Sequence, residues 1–188
     1  MLLPALAFSG GPDSTALLFL LAGLAKENKG LSNGPQELFS ITVDHGLQAS
    51  SSKMTLHCSE IASSLNIKHI SVKVPWGTNP FPPLPPPQKL ESIARNVRYH
   101  LLFQVLEDHD IPIIAFGHHA DDQVETALLR LAHGSTAVGA AGMRRVRKWG
   151  MGFGRCPETL GWAGHRGMKK WIIRPLLSEC KVYSTATL

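Results

Sequence analysis

Ala7-Phe8-Ser9-Gly10-Gly11-Pro12-Asp13-Ser14 ends an apolar run, Leu2 to Phe8, in two glycines and then opens a helix. Gly10 and Gly11 permit backbone angles that a Cβ opposes, so successive N–H groups can converge on an anion, with the Ser9 and Ser14 hydroxyls as further donors. Pro12 suits the first turn of the helix, whose free N–H groups and positive dipole end favour a bound phosphate. The stretch lacks the lysine of G-x-x-x-x-G-K-[ST], so another cation must balance the phosphate charge, and Asp13 points to a metal ion. The competing readings are a plain strand-to-helix turn, for which Gly-Gly-Pro-Asp is ordinary chemistry, and a secretory signal. The second fails because no Lys or Arg precedes residue 26 and Asp13 interrupts the apolar stretch.

Working outward, Asp13 to about Asn28 reads as a helix apolar almost all round, hence buried, followed by a turn-rich connection from Lys29 to Gln36. Leu38 to Val43 is a second strand. Strand, helix and strand in this space form a βαβ unit, which demands a parallel sheet and a right-handed crossover. Ligands of open α/β sheets bind at the carboxyl ends of strands, which places Asp44 beside the glycine turn. Met54, Cys58, Ile61, Ala62 and Leu65 recur at helical spacing and make Cys58 a core filler. Ile70, Val72 and Val74 alternate as a third strand. Residues 75–88 then hold seven of the thirteen prolines and read as a stiff surface loop.

From Lys89 the pattern Leu90, Ile93, Ala94, Val97, Leu101, Val105 marks an amphipathic helix, with Glu91, Arg95 and Arg98 on its other face. Those arginines are either partners of Glu91 or ligands of phosphate or nucleic acid. Ile111 to Phe116 is a continuously apolar strand suited to the middle of a parallel sheet. It runs into Gly117-His118-His119-Ala120-Asp121-Asp122-Gln123-Val124-Glu125-Thr126, where Asp121, Asp122 and Glu125 at a helix start can hold Mg²⁺ or an ammonium group. Paired histidines with no spaced third ligand are a weak zinc signal. Trp171 to Ile173 is a last short strand, and Pro175 after it fixes Arg174 at the sheet edge. Five strands in all are expected, as an α/β, Rossmann-like parallel sheet with helices on both faces.

The 188 residues, 44% hydrophobic, suffice for one substantial core. No apolar run reaches the length of a membrane span. Cys58, Cys156 and Cys180 form no C-x-x-C pair, which argues against a disulfide scaffold and for a reducing compartment: the cytoplasm, with an organelle, the mitochondrion, as the alternative. The net charge of +5 is uneven, because the segment 144–170 alone carries +7. A basic block interleaved with Trp149, Phe153 and Trp162 is the pattern of a nucleic-acid contact, against the plainer reading of a solvated loop.

Ser-Gly-Gly-Pro-Asp-Ser resembles the pyrophosphate loop of the N-type ATP pyrophosphatases. With Val-Asp-His-Gly-Leu, Glu-Ser-Ile-Ala-Arg-Asn-Val-Arg-Tyr, Gly-His-His-Ala-Asp-Asp-Gln-Val-Glu-Thr and Ile-Arg-Pro-Leu-Leu in this order, the chain closely resembles the tRNA(Ile)-lysidine synthase family over residues 3–177. The resemblance implies a ligase that adenylates the wobble cytidine of an isoleucine tRNA with a CAU anticodon and lets free lysine displace AMP. It implies ATP and Mg²⁺ as cofactors, with Ser9, Gly10, Gly11, Pro12, Asp13 and Ser14 around the pyrophosphate and Asp13 and Asp122 on the metal. It further implies Asp44, Asp121, Asp122 and Glu125 as metal and lysine ligands, and Arg95, Arg98 and Arg174 on phosphate and cytosine. The expected organisation is one PP-loop domain over 1–177, with a proline-rich loop at 75–88 and a basic, Gly-rich insertion at 144–170, and a tail at 178–188 in place of the family's C-terminal domains. The alternatives are a tRNA 2-thiolation enzyme, which typically uses paired cysteines, and a non-catalytic nucleotide- or RNA-binding fragment.

Overall fold

The strand-to-helix alternation produces a single six-stranded sheet in the computed structural model, which describes residues 4–28, 37–48, 50–136 and 141–180. The elements are β1 (Pro4–Ala7), α1 (Pro12–Glu27), β2 (Phe39–Asp44), α2 (Ser51–Ser64), β3 (Lys68–Lys73), α3 (Pro87–Asp108), β4 (Ile113–Ala115), α4 (Ala120–Ala132), β5 (Val146–Lys148), α5 (Gly164–Gly167) and β6 (Trp171–Ile173). The strand order is β3-β2-β1-β4-β6-β5, parallel throughout except for β5, which pairs antiparallel with β6 through Arg147 opposite Ile172. The order reverses at β1, between β2 and β4, with Leu6 in register with Ser40 on one side and Ala115 on the other. A reversal of this kind opens a crevice at the carboxyl ends of the strands.

Side chains alternate across a sheet, so each central strand feeds two cores. Ala5, Ile41, Ile114 and Ile172 pack with Leu102, Phe103 and Leu106 of α3 on one face. Leu6, Phe8 and Ala115 pack with Leu17 and Leu18 of α1 and Cys58 and Ala62 of α2 on the other. This is the expected Rossmann-like fold with helices on both faces, and Cys58 is wholly buried as a core filler. The sixth strand, β5, lies inside the basic segment, where no apolar periodicity announces it.

Two expectations need correction, and one alternative reading falls. Helix α1 is not buried all round: only Ser14, Leu17 and Leu18 are buried, while Phe19, Leu20 and Leu24 are each more than half exposed, because a helix on a sheet offers it one stripe. The proline-rich segment is not wholly a surface loop, since Phe81 is buried with Val74 against Val97 and Leu101. The basic segment is not a solvated loop: Trp149 is buried among Tyr99 and Phe103, and Lys170 is buried with its ammonium 3.1 Å from both a Glu107 carboxylate oxygen and the Leu106 carbonyl. Leu2, Leu3, the Lys29–Gln36 connection and the tail from Lys181 onward lie outside the described residues.

Candidate functional site

The glycine turn is shaped by its neighbours. Gly10 has φ +77, and a side chain there would meet Met54 Sδ at 2.8 Å and Cys58 Sγ at 2.9 Å, so the loop lies flush against α2. Gly117, after β4, does the same from the other side, since a Cβ would stand 3.1 Å from the backbone of Asp13 and Ser14. Ser14 Oγ donates to the Gly11 carbonyl at 3.0 Å and lies 3.2 Å from Ser9 Oγ, which pins the two hydroxyls together. Thr42 Oγ1 donates to the Phe8 carbonyl at 2.7 Å and holds the end of β1 against β2. Gly11 is the N-cap of α1 and Pro12 stands in the first turn, with no side chain capping the helix. The first turn of an α-helix has N–H groups without intrahelical acceptors, and Gly11, Asp13 and Ser14 at this one line the cleft described next.

A cleft of about 500 Å³ opens over this turn, lined by Ser9, Gly11, Asp13 and Ser14 and by Asp44 at the end of β2, Arg98 of α3, His118 after β4 and Asp122 of α4. Asp44 accepts the Gly46 N–H at 2.8 Å, which holds its carboxylate at the end of β2. His119 is buried, with Nε2 3.6 Å from Asp13 Oδ2 and 3.7 Å from Asp122 Oδ2, so carboxylates from α1 and α4 converge on one ring edge. Asp122 also accepts the His119 backbone N–H at 2.8 Å, which fixes the start of α4. Asp121 lies on the other ring nitrogen at 3.9 Å, outside the cleft lining. Glu125, one turn further along α4, is exposed and lines neither this cleft nor the second hollow described below.

The other histidine faces the arginines. His118 stacks on Phe116 at 5.5 Å, and its Nδ1 accepts the Arg174 Nε–H at 3.1 Å. Burial and the Arg174 guanidinium bring its pKa down to about 4, against the opposing pull of Asp122. His118 is therefore a neutral acceptor at physiological pH, with its proton on Nε2. Burial and the nearby Arg98 lower His45 too. Arg98 Nε and His45 Nδ1 are buried without a hydrogen-bond partner among the described residues, and both residues line the cleft. Buried donors are rarely left so, and Arg98 is placed to receive an anionic ligand.

Arg174 also donates to the Arg144 carbonyl at 2.9 Å and lines a second hollow of about 500 Å³ with Arg95, Tyr99, Arg130, Arg147 and Phe153. Of the arginines expected at the site, Arg98 thus faces the cleft, while Arg95 and Arg174 face the hollow beside it. Arg95 lies over the Tyr99 ring at 5.5 Å, and among the described residues no ion pair joins it to Glu91. Sequence reasoning missed the role of His119 between two carboxylates and the share of Arg130 in the hollow. The first had a visible signal, a doubled histidine at a strand end, whereas Arg130 sits on a helix face with nothing local to mark it.

Among the described residues no group of three or more His, Cys, Asp and Glu side chains gathers to hold a metal. Asp13 and Asp122 are the two carboxylates that could hold Mg²⁺, an ion commonly bound by one or two carboxylates completed by substrate phosphate and water.

A reversal in a parallel sheet, with a glycine turn at the first strand end and carboxylates at the start of the helix after the fourth, defines a Rossmann-like α/β protein. The chain belongs to the PP-loop domain family, whose pattern matches residues 4–185. Among curated relatives it is 38% identical over 175 residues to tRNA(Ile)-lysidine synthase of Pseudomonas syringae pv. tomato (89% of this chain, 36% of that protein). It is 35% identical over 173 residues to the same-named protein of Mesorhizobium japonicum (91% and 33%) and 34% over 157 residues to that of Legionella pneumophila strain Paris (81% and 32%). The chain thus spans about a third of the length of these relatives. Among solved structures, the U34-tRNA thiolase NcsA of Methanococcus maripaludis, with its [4Fe-4S] cluster, superposes with a TM-score of 0.64 at 17% identity, covering 96% of this chain and 53% of that one. At that identity the likeness is one of fold. No described helix is long and apolar enough to cross a membrane.

Proposed function

We propose that this chain carries the ATP-dependent step of lysidine formation, in which a cytidine at the wobble position of an isoleucine tRNA is joined to free lysine. The observation that carries the reading is the convergence of the Ser9–Ser14 cradle, Asp13, Asp122, Arg98 and His118 on one cleft. The similarity to lysidine synthases supplies the substrate class.

In this reaction the C2 oxygen of cytidine attacks the α-phosphorus of ATP, the α–β bond breaks, and pyrophosphate leaves. The ε-amine of lysine then attacks C2, AMP departs with the oxygen, and the amine gives up a proton. The residues act by placement and electrostatics. The first-turn N–H groups of α1 with the Ser9 and Ser14 hydroxyls receive the leaving pyrophosphate. Arg98 balances charge on the phosphates, and Arg174, oriented by His118, meets the nucleotide being modified. Asp13 and Asp122 would hold Mg²⁺, which supplies positive charge to the phosphates when bound. Asp44, in the cleft lining at the end of β2, is the site for the lysine ammonium.

The test is turnover with α-labelled ATP, lysine and an isoleucine tRNA bearing a CAU anticodon. AMP and pyrophosphate are the expected nucleotide products, with one lysine added to the RNA by mass. Release of ADP and phosphate would overturn the reading. Sulfur in place of lysine would assign the chain to the thiolation branch, and nucleotide binding without turnover would make it a binding module.

A further inference from the structure

The second hollow lies beside the cleft, and five arginines line it, Arg95, Arg130, Arg144, Arg147 and Arg174, with no Asp or Glu among the described lining residues. Like charges so gathered repel, and an anion relieves them. Arg144 is exposed and, among the described residues, joins no ion pair, while its carbonyl is taken by Arg174. Arg130 donates to the Gly142 carbonyl at 2.7 Å and Arg147 to the Lys148 and Trp149 carbonyls at 3.2 Å, so backbone carbonyls help to orient both cations. An aromatic ring stands with them. Phe153 is 50% exposed, and its N–H donates to the Gly161 carbonyl at 3.0 Å. Gly161 has φ +83, and a side chain there would run into the Phe153 ring, so the glycine gives that ring its seat.

We infer that this hollow is a single-stranded RNA subsite that takes one backbone phosphate between the arginines and stacks one base on Phe153. The inference rests on the proposed function and adds to it the place where RNA flanking the modified nucleotide is held. Phosphate groups suit guanidinium forks, and an exposed ring accepts any base. Inorganic phosphate would use the charge but leave the aromatic ring idle. The hollow adjoins the cleft through one hydrogen bond, Arg174 to His118, and through successive turns of α3, where Arg95 faces the hollow and Arg98 the cleft. A strand lying in the hollow can therefore present its neighbouring nucleotide to the cleft. Trp149, the aromatic residue nearest the arginines in sequence, is buried and cannot stack.

The experiment compares the 188-residue protein with Arg144→Gln and Phe153→Ala, titrating a labelled anticodon stem-loop RNA across salt concentrations, with ATP affinity and circular dichroism as controls. Arg144→Gln is expected to flatten the slope of log affinity against log salt by about 0.7, the value of one single-strand phosphate contact. Phe153→Ala is expected to weaken binding by roughly tenfold or more at every salt concentration with the slope unchanged. ATP affinity should hold in both. RNA binding with wild-type slope in Arg144→Gln, or wild-type affinity in Phe153→Ala, overturns the subsite while leaving the proposed function standing. Tripolyphosphate binding that Arg144→Gln abolishes while the RNA slope stays put would make the hollow a small-anion site and overturns it equally. No RNA binding by the wild type overturns the proposed function and the subsite together.

Discussion

The nucleotide cleft and the edge formed by β5, the segment 150–167 and β6 use the same residue types to opposite ends. In the cleft, charged groups stay partly open: Arg98 Nε has no partner among the described residues, and Asp13 and Asp122 both approach the His119 ring. At the edge, charge is used to close the fold. Lys170 is buried on Glu107 and the Leu106 carbonyl, Arg166 reaches Glu107 at 3.6 Å, and His100 Nδ1 accepts the Gly161 N–H at 2.8 Å. A polar group that keeps a vacancy is available to a ligand, whereas one that is satisfied is part of the scaffold.

Substitution should separate the two regions. The largest expected effect is at Trp149, packed on Tyr99 and Phe103. Trp149→Ala should cost about 3–5 kcal/mol of stability in denaturant melts, as for a buried aromatic residue. A melt unchanged from wild type would return Trp149 to the surface. Next, Asp13→Asn and Ser14→Ala should each slow release of pyrophosphate from ATP by about a hundredfold or more, the scale of losing one placed electrostatic group, with melting unchanged. Equal loss of stability and turnover would make the cleft structural. Lys170→Met, which keeps the volume but strands Glu107, should cost about 2–3 kcal/mol, less than a fully enclosed pair because Arg166 still reaches that carboxylate. ATP affinity of the folded variant should stay at the wild-type value, and a fall in it would couple the two regions.

The same contrast explains which parts could be read from sequence. Ser9–Ser14 and Gly117–Asp122 were legible because their chemistry is local: a positive-φ glycine, a proline in the first helical turn, and acids at a helix start lie within a few consecutive residues. Arg174 could be placed at the sheet edge because Pro175 ends the strand. At the closed edge every partner is distant in the chain. Trp149 belongs to an aromatic cluster with α3, Lys170 pairs with the end of α3, and Gly161 bonds to its middle. Charge counting could see only a basic block there, not that Trp149 and Lys170 within it are buried. Exposure of Phe19, Leu20 and Leu24 was missed for a related reason: apolar content tells which residues can be buried, not which face meets the sheet.

The smallest expected effect, and the one that tests the closed edge most directly, is a pH dependence at His100. This side chain is buried against Phe81, and burial lowers its pKa below the ordinary histidine value. Its Nδ1 is the acceptor for Gly161, so protonation converts an acceptor into a second donor and removes the bond that ties the segment to α3. In the unfolded chain the same imidazole takes up a proton near pH 6.5. Above that pH both states are neutral and the contribution is complete. As pH falls the unfolded state binds the proton first, and stability declines until the folded group also titrates. His45, His69 and His118 are lowered as well and pull in the same direction, so the signal is a difference between proteins. His100→Gln offers Gly161 an amide oxygen that does not titrate. It should be less stable than wild type by about 1 kcal/mol above neutrality, from imperfect packing and bond geometry. That gap should narrow as pH drops through the acid side of about 6.5, because only the wild type loses its bond. A gap that stays constant across the same range would mean that His100 holds the edge by shape alone.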